Sequence, residues 1–179
     1  MIWTDWGSSP KIEKAALTGS QRVAIVTSNI KWPNGIELDR WNNRIYWVDG
    51  AVDRIESVDY NGNNRKLLGP ITNFHGFGVA IIPPFLFFTD WASNGQIHQV
   101  DAMTGYFVVS RVSFTGRPMG IVAYDRSRQP PGKVNRVPNL HCIQPRIFCT
   151  LWDSQPPGKI KLRLNLSQYS SSYLMGVFF

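Results

Sequence analysis

The chain has 179 residues, of which 43% are hydrophobic and 13% aromatic, so it is too apolar to be wholly disordered and is long enough for one folded domain. Its formal net charge of +7 is carried by one region: residues 1–125 contain eleven Lys or Arg and eleven Asp or Glu, whereas residues 126–179 contain eight Lys or Arg and one Asp. The neutral first region therefore does not have the basic surface that nucleic-acid binding requires.

A four-residue motif, hydrophobic–aromatic–Thr/Val–Asp, is the first predicted element and recurs twice. It stands at 2–5, 46–49 and 87–90, and its aspartates are 44 and 41 residues apart. A fixed period of this length is typical of propellers, solenoids and other repeat folds. The motif residues are Trp3, Thr4, Asp5, Tyr46, Trp47, Asp49, Phe88, Thr89 and Asp90.

Two other features keep the same period. A three-residue segment with isoleucine at its centre follows each motif, and a turn glycine comes after each segment, at Gly19, Gly62 and Gly105. A third set of similar segments ends in a glycine before an apolar run, at Gly35, Gly78 and Gly120. Several coupled features at one spacing favour a true structural repeat over chance recurrence of a tetrapeptide.

Within each period the apolar residues form short runs rich in Val, Ile, Tyr, Trp and Phe, which predicts strands. In the best-kept repeat the runs are Gly35 to Leu38, Arg44 to Val48, Arg54 to Asp59 and Arg65 to Leu68. Asn61-Gly62 indicates a hairpin, because both residue types tolerate positive φ. Four short antiparallel strands in about 43 residues are typical of one propeller blade, whereas helical repeats need a 3.6-residue periodicity that this sequence lacks.

These features resemble the YWTD repeat, the class B repeat of the low-density lipoprotein receptor family. The resemblance covers residues 1–132 and includes Trp3-Thr4-Asp5-Trp6-Gly7, Trp32-Pro33-Asn34-Gly35, Tyr46-Trp47-Val48-Asp49 and Asp59-Tyr60-Asn61-Gly62. It implies an all-β fold, a partial six-bladed β-propeller of about three blades. Since Met1 abuts the first motif, we expect the remaining blades to come from sequence upstream. Half a ring exposes apolar blade faces, and we expect it to be poorly stable or to associate.

Residues 133–179 depart from the pattern and are predicted to be an irregular basic tail that need not form a domain. The epidermal growth factor-like module that commonly follows such propellers requires six cysteines, whereas only Cys142 and Cys149 are present. These two form a single disulfide or remain free thiols. With His141 they would supply part of a zinc site, but a fourth ligand is not evident.

The motif aspartates repeat once per blade, which favours a structural role, such as accepting backbone N–H bonds near a turn, over catalysis or metal binding. The motif aromatics are predicted to fill the core between blades.

The loop Trp32 to Gly35 is the better candidate for ligand binding, since an exposed Trp beside an amide suits protein recognition. The resemblance implies that protein ligands or the receptor's own modules dock at this rim. The candidate residues are Trp32, Asn34, His75, Phe77, Arg117 and Met119. A purely structural interpretation stays open, in which the segment is a tight turn and Trp32 covers the core.

His75 is a candidate pH sensor, because a histidine gains charge in the acidic pH range of an endosome. The resemblance implies acid-dependent ligand release at such a position. The alternative is an ordinary surface or turn histidine.

The sequence predicts protein recognition and no enzyme activity, since it contains no nucleophile elbow, phosphate loop or metal-ligand cluster. No cofactor is expected.

The resemblance implies that the chain lies on the extracellular side of the plasma membrane, as part of a larger single-pass receptor. Its expected function is endocytosis of lipoprotein or yolk-type cargo, or co-reception of Wnt-type signals. The alternative is an adhesive matrix protein of the nidogen type. The expected partners are protein ligands and the remaining blades, with neither nucleic acid nor direct membrane contact. No signal peptide and no transmembrane segment of about 20 apolar residues is recognisable.

Overall fold

The computed structural model describes residues 1–69, 71–92, 95–113, 116–124, 146–152 and 174–175. The regular elements in these ranges are β-strands arranged in four sheets, so the all-β prediction is confirmed. The strands are β1 Ile2–Asp5, β2 Lys11–Lys14, β3 Val23–Val26, β4 Pro33–Asp39, β5 Arg44–Asp49, β6 Arg54–Asp59, β7 Lys66–Leu67, β8 Gly76–Ile82, β9 Phe85–Asp90, β10 Gln96–Asp101, β11 Phe107–Ser113, β12 Arg117–Tyr124, β13 Arg146–Trp152 and β14 Leu174–Met175.

Each sheet is one blade, and consecutive strands pair within it. Blade 1 contains β1–β3, blade 2 contains β4–β7, blade 3 contains β8–β11 and blade 4 contains β12–β14. The three sequence motifs form β1, β5 and β9, and each pairs antiparallel with the next strand in the same register. The central pairs are Trp3 with Glu13, Trp47 with Glu56 and Phe88 with His98. The repeat seen in the sequence is thus a repeat of strand register.

The first strands of blades 2, 3 and 4 approach one another closely. A Cβ added to Gly35 would lie 2.7 Å from the Phe77 carbonyl oxygen and 2.8 Å from Gly78 Cα. A Cβ added to Gly78 would lie 2.8 Å from the Met119 carbonyl oxygen. Only glycine permits this distance between backbones, which explains the recurrence of Gly at these positions. The strands β4, β8 and β12 therefore line up as the innermost strands of successive blades.

The apolar core lies between adjacent blades. Trp47, on β5, is fully buried in a cluster that joins blades 1 and 2 and includes Ile12, Val26, Ile45 and Val58. Phe88, on β9, is fully buried in a second cluster that joins blades 2 and 3 and includes Val48, Ile55, Leu68, Phe74, Val79, Leu86 and Val100. The motif aromatics of these two blades therefore pack in the core, which orders one blade against the next.

The turn between β6 and β7 is organised by an aspartate as well as by glycine. Gly62 has φ of 85° and Asn64 has φ of 53°, whereas Asn61 is not among the residues with positive φ. The Asp59 carboxylate accepts the backbone N–H groups of Asn61 and Asn63, and this bonding fixes a longer turn. The hairpin predicted at Asn61-Gly62 is confirmed, since β6 and β7 pair antiparallel on either side of it, and Gly62 supplies the positive φ.

Two strands lie in the segment that the sequence predicted to be irregular. β13 pairs antiparallel with β12, and β14 pairs with β13 in parallel. The sequence of β13 is rich in residues with high β-propensity, among them Ile147, Phe148, Thr150 and Trp152, which accounts for strand formation without a blade motif. Cys142 and the boundary at residue 132 lie outside the described residues, so the disulfide and the domain division stay predictions.

Candidate protein-binding site

The candidate site lies at the end of the blades where β4 and β8 begin. Pro33 pairs with Asp49, and Gly76 pairs with Asp90, so the loops that enter the innermost strands lie beside the loops that follow the motif strands. Trp32 and His75 immediately precede these two innermost strands. The antiparallel register thus brings loops of successive blades to one rim.

The motif aspartates hold these loops in place. In blade 2, the Asp49 carboxylate accepts the backbone N–H groups of Lys31 at 2.7 Å and of Trp32 and Ala51 at 3.0 Å. In blade 3, Asp90 Oδ1 accepts the N–H group of His75 at 2.8 Å and that of Ala92 at 2.7 Å. Each buried carboxylate therefore fixes the backbone of the residue that projects from the rim.

The charge state of Asp90 is set by opposing effects. Burial raises the pKa of this carboxyl, but the hydrogen bond from His98 Nε2 at 3.0 Å and the backbone N–H groups of His75 and Ala92 outweigh burial, so the net pKa is lowered. Asp90 is consequently a carboxylate at neutral pH. Its oxygens are already engaged in the loop and with His98, which leaves a structural acceptor and not a reactive acid.

Four rings form a continuous contact series across blades 1, 2 and 3, which we call the aromatic row: Trp6, Trp32, His75 and Trp91. The ring centroids of Trp6 and Trp32 are 6.3 Å apart, and those of Trp32 and His75 are 6.1 Å apart. The His75 ring stacks on Trp91 with a centroid distance of 5.6 Å. Trp6 is 58% exposed and Trp32 is 46% exposed, so the row presents aromatic surface to solvent.

Phe77 and Arg117 extend the row at Trp91. The Phe77 ring stacks on the Trp91 ring with centroids 4.6 Å apart and planes inclined by 10°. The Arg117 guanidinium lies over the same indole at 5.4 Å from its centroid, a cation–π contact between blades 3 and 4. The Trp91 Nε1 group donates to the Pro118 carbonyl oxygen at 2.8 Å. Trp91 is therefore fixed on several sides and connects the row to blade 4.

Asn34 and Met119, the other two candidate residues, make contacts between blades. Asn34 Nδ2 donates to the Gly76 carbonyl oxygen at 2.8 Å, and the Asn34 carbonyl oxygen accepts the Thr4 hydroxyl at 3.0 Å. The Met119 carbonyl oxygen accepts the Thr89 hydroxyl at 2.8 Å. The structure thus brings Trp32, His75, Phe77 and Arg117 together through ring contacts, whereas Asn34 joins blade 2 to blade 3.

The sequence did not indicate Trp6 and Trp91 as members of this surface. Both directly follow a motif aspartate, and this shared position is the signal that would have found them. Blade 2 has Gly50 there, and a Cβ on Gly50 would lie 3.4 Å from His75 Nε2. Because Gly50 has no side chain, the His75 ring has room beside it. The imidazole therefore connects Trp32 to Trp91 in the row.

Asp53 is a further residue of this rim that the sequence did not indicate. Burial raises the pKa of its carboxyl, the nearby carboxylates of Asp90 and Asp49 raise it too, and the charge of His75 lowers it. The row consequently has an acidic neighbour at its centre and the cationic Arg117 at one end.

No metal site is found among the residues described, where no group of three or more His, Cys, Asp or Glu side chains is arranged to hold an ion. The same part of the chain contains no helix long and apolar enough to cross a membrane.

Comparison with known families and proteins identifies the repeat. The family described as low-density lipoprotein receptor repeat class B matches residues 1–39. The vitellogenin receptor Yl of Drosophila melanogaster is 36% identical over 127 residues, which are 71% of this chain and 6% of that protein. The repeat region of this chain belongs to the low-density lipoprotein receptor class B repeat family, and we call it the class B repeat segment. A human low-density lipoprotein receptor-related protein 5-like protein is 30% identical over 102 residues, 56% of this chain and 40% of that relative. The chain thus spans less than half the length of either relative.

Solved structures give the same fold for the class B repeat segment. The crystal structure of a nidogen/laminin complex aligns with a TM-score of 0.62 and 27% identity, over 68% of this chain and 46% of that one. A luciferin-regenerating enzyme aligns with a TM-score of 0.54 at 14% identity, over 65% of this chain and 42% of its own, and at that identity it supports the fold alone. The prediction of a partial YWTD β-propeller is confirmed, and the described residues form four sheets where about three blades were expected, because β13 from the predicted tail pairs with β12. The relatives matched by sequence are named as receptors and not as enzymes.

Proposed function

We propose that this class B repeat segment is an extracellular protein-binding part of an endocytic receptor of the vitellogenin-receptor type. Vitellogenin receptors from Drosophila melanogaster and Solenopsis invicta are 36% and 33% identical to it, over 71% and 59% of the chain. The receptor, its cargo and its position outside the plasma membrane belong to the proposal, since the segment spans 6% of either relative.

The aromatic row is the observation that carries the proposal. A line of touching rings on a rigid rim offers large apolar contact area at a small cost in conformational entropy, which is the chemistry of binding hot spots. Asp53 and Arg117 add charges of both signs beside it, and these favour a protein partner with complementary charges. The six residues Trp32, Asn34, His75, Phe77, Arg117 and Met119 remain proposed ligand-binding residues, with Asn34 and Met119 acting through blade contacts.

The test is surface plasmon resonance with the 179-residue chain immobilised and purified vitellogenin as the analyte. Trp32→Ala is expected to weaken binding about thirtyfold, the effect of losing a hot spot of about 2 kcal/mol. Trp41→Ala is the matched control, because Trp41 is 57% exposed in the turn between β4 and β5, at the opposite end of the blade. Equal affinities of wild type and Trp32→Ala, or no vitellogenin binding at all, contradict the proposal.

A matrix role is the second candidate, and the nidogen/laminin structure favours it, since it aligns at 27% identity. Laminin is therefore the second analyte in the same experiment. Binding of laminin without vitellogenin supports the adhesive role and overturns the endocytic one. Co-reception of Wnt-type signals is implied by the family resemblance, and the human receptor-related relative aligns with 102 residues, fewer than the 127 that align with the Drosophila receptor.

His75 gives the endocytic proposal a pH dependence. Its ring lies between Trp32 and Trp91 and close to the Asp53 carboxyl, so protonation changes the charge at the centre of the aromatic row. We expect affinity to fall between about pH 7.4 and about pH 5.5, the range in which histidines gain charge. His75→Ala is expected to bind with the same affinity at both pH values. A wild-type ratio of affinities in the variant assigns the pH dependence to other groups.

A further inference from the structure

A cavity of about 210 Å³ opens between blades 2 and 3, at the end opposite the aromatic row. Its walls include Arg44, Tyr46, Ser57, Lys66 and Met103. Arg44 begins β5 whereas Asp49 ends it, and this places the cavity at the far end of the strand. Drug-sized ligands occupy pockets of about 300–1,000 Å³, so this cavity suits a single small group with a short stem.

Two cations line the cavity, and neither forms an ion pair with a described carboxylate. Arg44 donates from Nε at 3.1 Å and from Nη2 at 2.8 Å to Ser57 Oγ, and Nη2 also donates to the Asn64 carbonyl oxygen at 2.9 Å. All of these acceptors are neutral. Among the described residues, neither Arg44 nor Lys66 has a carboxylate oxygen within 4.0 Å.

Two other arginines of the described residues are paired with glutamates. Arg22 pairs with Glu13, and Arg65 pairs with Glu56 through two nitrogens. The equivalents of Arg44 and Ser57 in blade 3 are Phe85 and Gln99, as the shared strand register shows. The repeat fold therefore does not require a cation beside a hydroxyl at this position. Arg44 and Ser57 are a feature of blade 2 and are not needed to form a blade.

Three acidic groups lie near the cavity, and each is engaged by its own turn. Asp59 stands opposite Arg44 on β6 and accepts the N–H groups of Asn61 and Asn63 and the Asn64 amide. The pKa of the Asp59 carboxyl is lowered, first by the Asn63 N–H group and to a smaller extent by the charge of Arg44. The pKa of the Tyr46 phenol is raised, first by burial and then by the carboxylates of Asp39 and Asp101, so both acids lie near the cavity. Asp39 accepts the N–H groups of Trp41 and Asn42 and the Asn42 amide. Asp101 accepts the N–H groups of Met103 and Thr104 and the Thr104 hydroxyl. Their oxygens point into capped turns, whereas the two cations line the cavity.

We propose that this cavity binds a tetrahedral oxyanion, sulfate or phosphate, through the Arg44 guanidinium and the Lys66 ammonium. Arg44 is held in place by Ser57 and the Asn64 carbonyl, so its orientation is set before the anion arrives. Lys66 lies on the short edge strand β7 and supplies a second, exposed charge. Met103 is 85% exposed at the rim, where it can contact a carbon stem attached to the anion.

The test is isothermal titration calorimetry of the full chain at low ionic strength, with sodium sulfate, sodium phosphate and glucose 6-sulfate as the three probes. One saturable site is expected. Lys66→Gln is expected to weaken binding about tenfold, the effect of losing one charge-assisted hydrogen bond. Arg54→Gln removes an equal charge from the opposite end of blade 2 and is expected to leave the affinity within about twofold. Absence of saturable binding, or equal losses in both variants, overturns the proposal.

A second variant guards against a folding artefact at Lys66. Met103→Glu adds a negative charge at an exposed rim position and is expected to weaken binding by repulsion, without removing any contact in the core. Unchanged affinity in Met103→Glu also counts against the site. The probes distinguish the source of the anion: tighter binding of glucose 6-sulfate than of inorganic sulfate indicates a sulfate ester, and the reverse order indicates the free ion.

Discussion

At the scale of single residues, the motif threonine joins successive blades, and blade 2 lacks it. Thr89 Oγ1 accepts the Gly78 N–H group at 2.7 Å and donates to the Met119 carbonyl oxygen at 2.8 Å. Thr4 donates to the Asn34 carbonyl oxygen at 3.0 Å. Val48 occupies the same position in β5, where it is fully buried and can make no such bond. The Asn34 amide instead bonds blade 2 to blade 3.

Restoring the threonine is expected to stabilise the segment. In Val48→Thr the new hydroxyl would face the Phe77 carbonyl, the equivalent of the Asn34 and Met119 carbonyls, and one added hydrogen bond contributes about 1 kcal/mol. Thermal unfolding at one fixed protein concentration measures the change. Val58→Thr is the matched control, since Val58 is equally buried but has no repeat precedent for a hydroxyl partner, and it should destabilise. Equal losses of stability in the two variants would show that the hydroxyl at position 48 has no acceptor.

The sequence predicted which residues lie at the site better than it predicted the contacts that they make. It indicated Trp32, His75, Phe77 and Arg117 because all four stand near an innermost-strand glycine at one period. It did not indicate Trp6 or Trp91, because ring contacts between blades depend on three-dimensional spacing that a linear repeat does not express. The role of Asn34 was missed for the same reason: its amide reaches Gly76, 42 residues along the chain.

At the scale of strands, the periodic pattern predicted blade 2 closely. The observed strands Pro33–Asp39, Arg44–Asp49 and Arg54–Asp59 contain the expected runs, whereas the last strand is reduced to Lys66–Leu67. Arg65 stands outside that strand, where it bonds to Glu56 and to the Ser28 and Asn29 carbonyl oxygens. A side chain with this many partners fixes the end of the strand in a way that strand propensity does not indicate.

The middle strands show a coupled substitution that the motif alone did not reveal. Arg22 lies 5.2 Å from the Trp3 ring centroid and pairs with Glu13, and Arg65 lies 5.3 Å from that of Trp47 and pairs with Glu56. In blade 3 the tryptophan is Phe88 and the glutamate is His98, whose rings stack with centroids 4.8 Å apart. His98 also bonds to the motif aspartate Asp90. The blade keeps its register with a different set of side chains, because a stacked pair replaces the cation–π arrangement.

At the scale of the whole molecule, the core is distributed between pairs of blades. One cluster joins blades 1 and 2 and another joins blades 2 and 3, so each blade depends on its neighbours for burial of its faces. Stability in such arrays is roughly a sum of terms from adjacent repeats. In the isolated chain we expect a blade at the end of the array to have a face that no neighbour covers. The repeat count leads to the same expectation, which stays a prediction.

We expect the isolated chain to associate, or to unfold with low cooperativity, because uncovered blade faces expose apolar surface and unpaired strand edges. Size-exclusion chromatography with light scattering, run over a range of concentrations, is expected to give an apparent mass above that of the monomer which rises with concentration. Denaturant unfolding of the same samples is expected to show a midpoint that depends on concentration, since association stabilises only the folded form. A monomer at every concentration, together with one cooperative transition, would show that the described blades cover their own faces and that the segment folds as an independent unit.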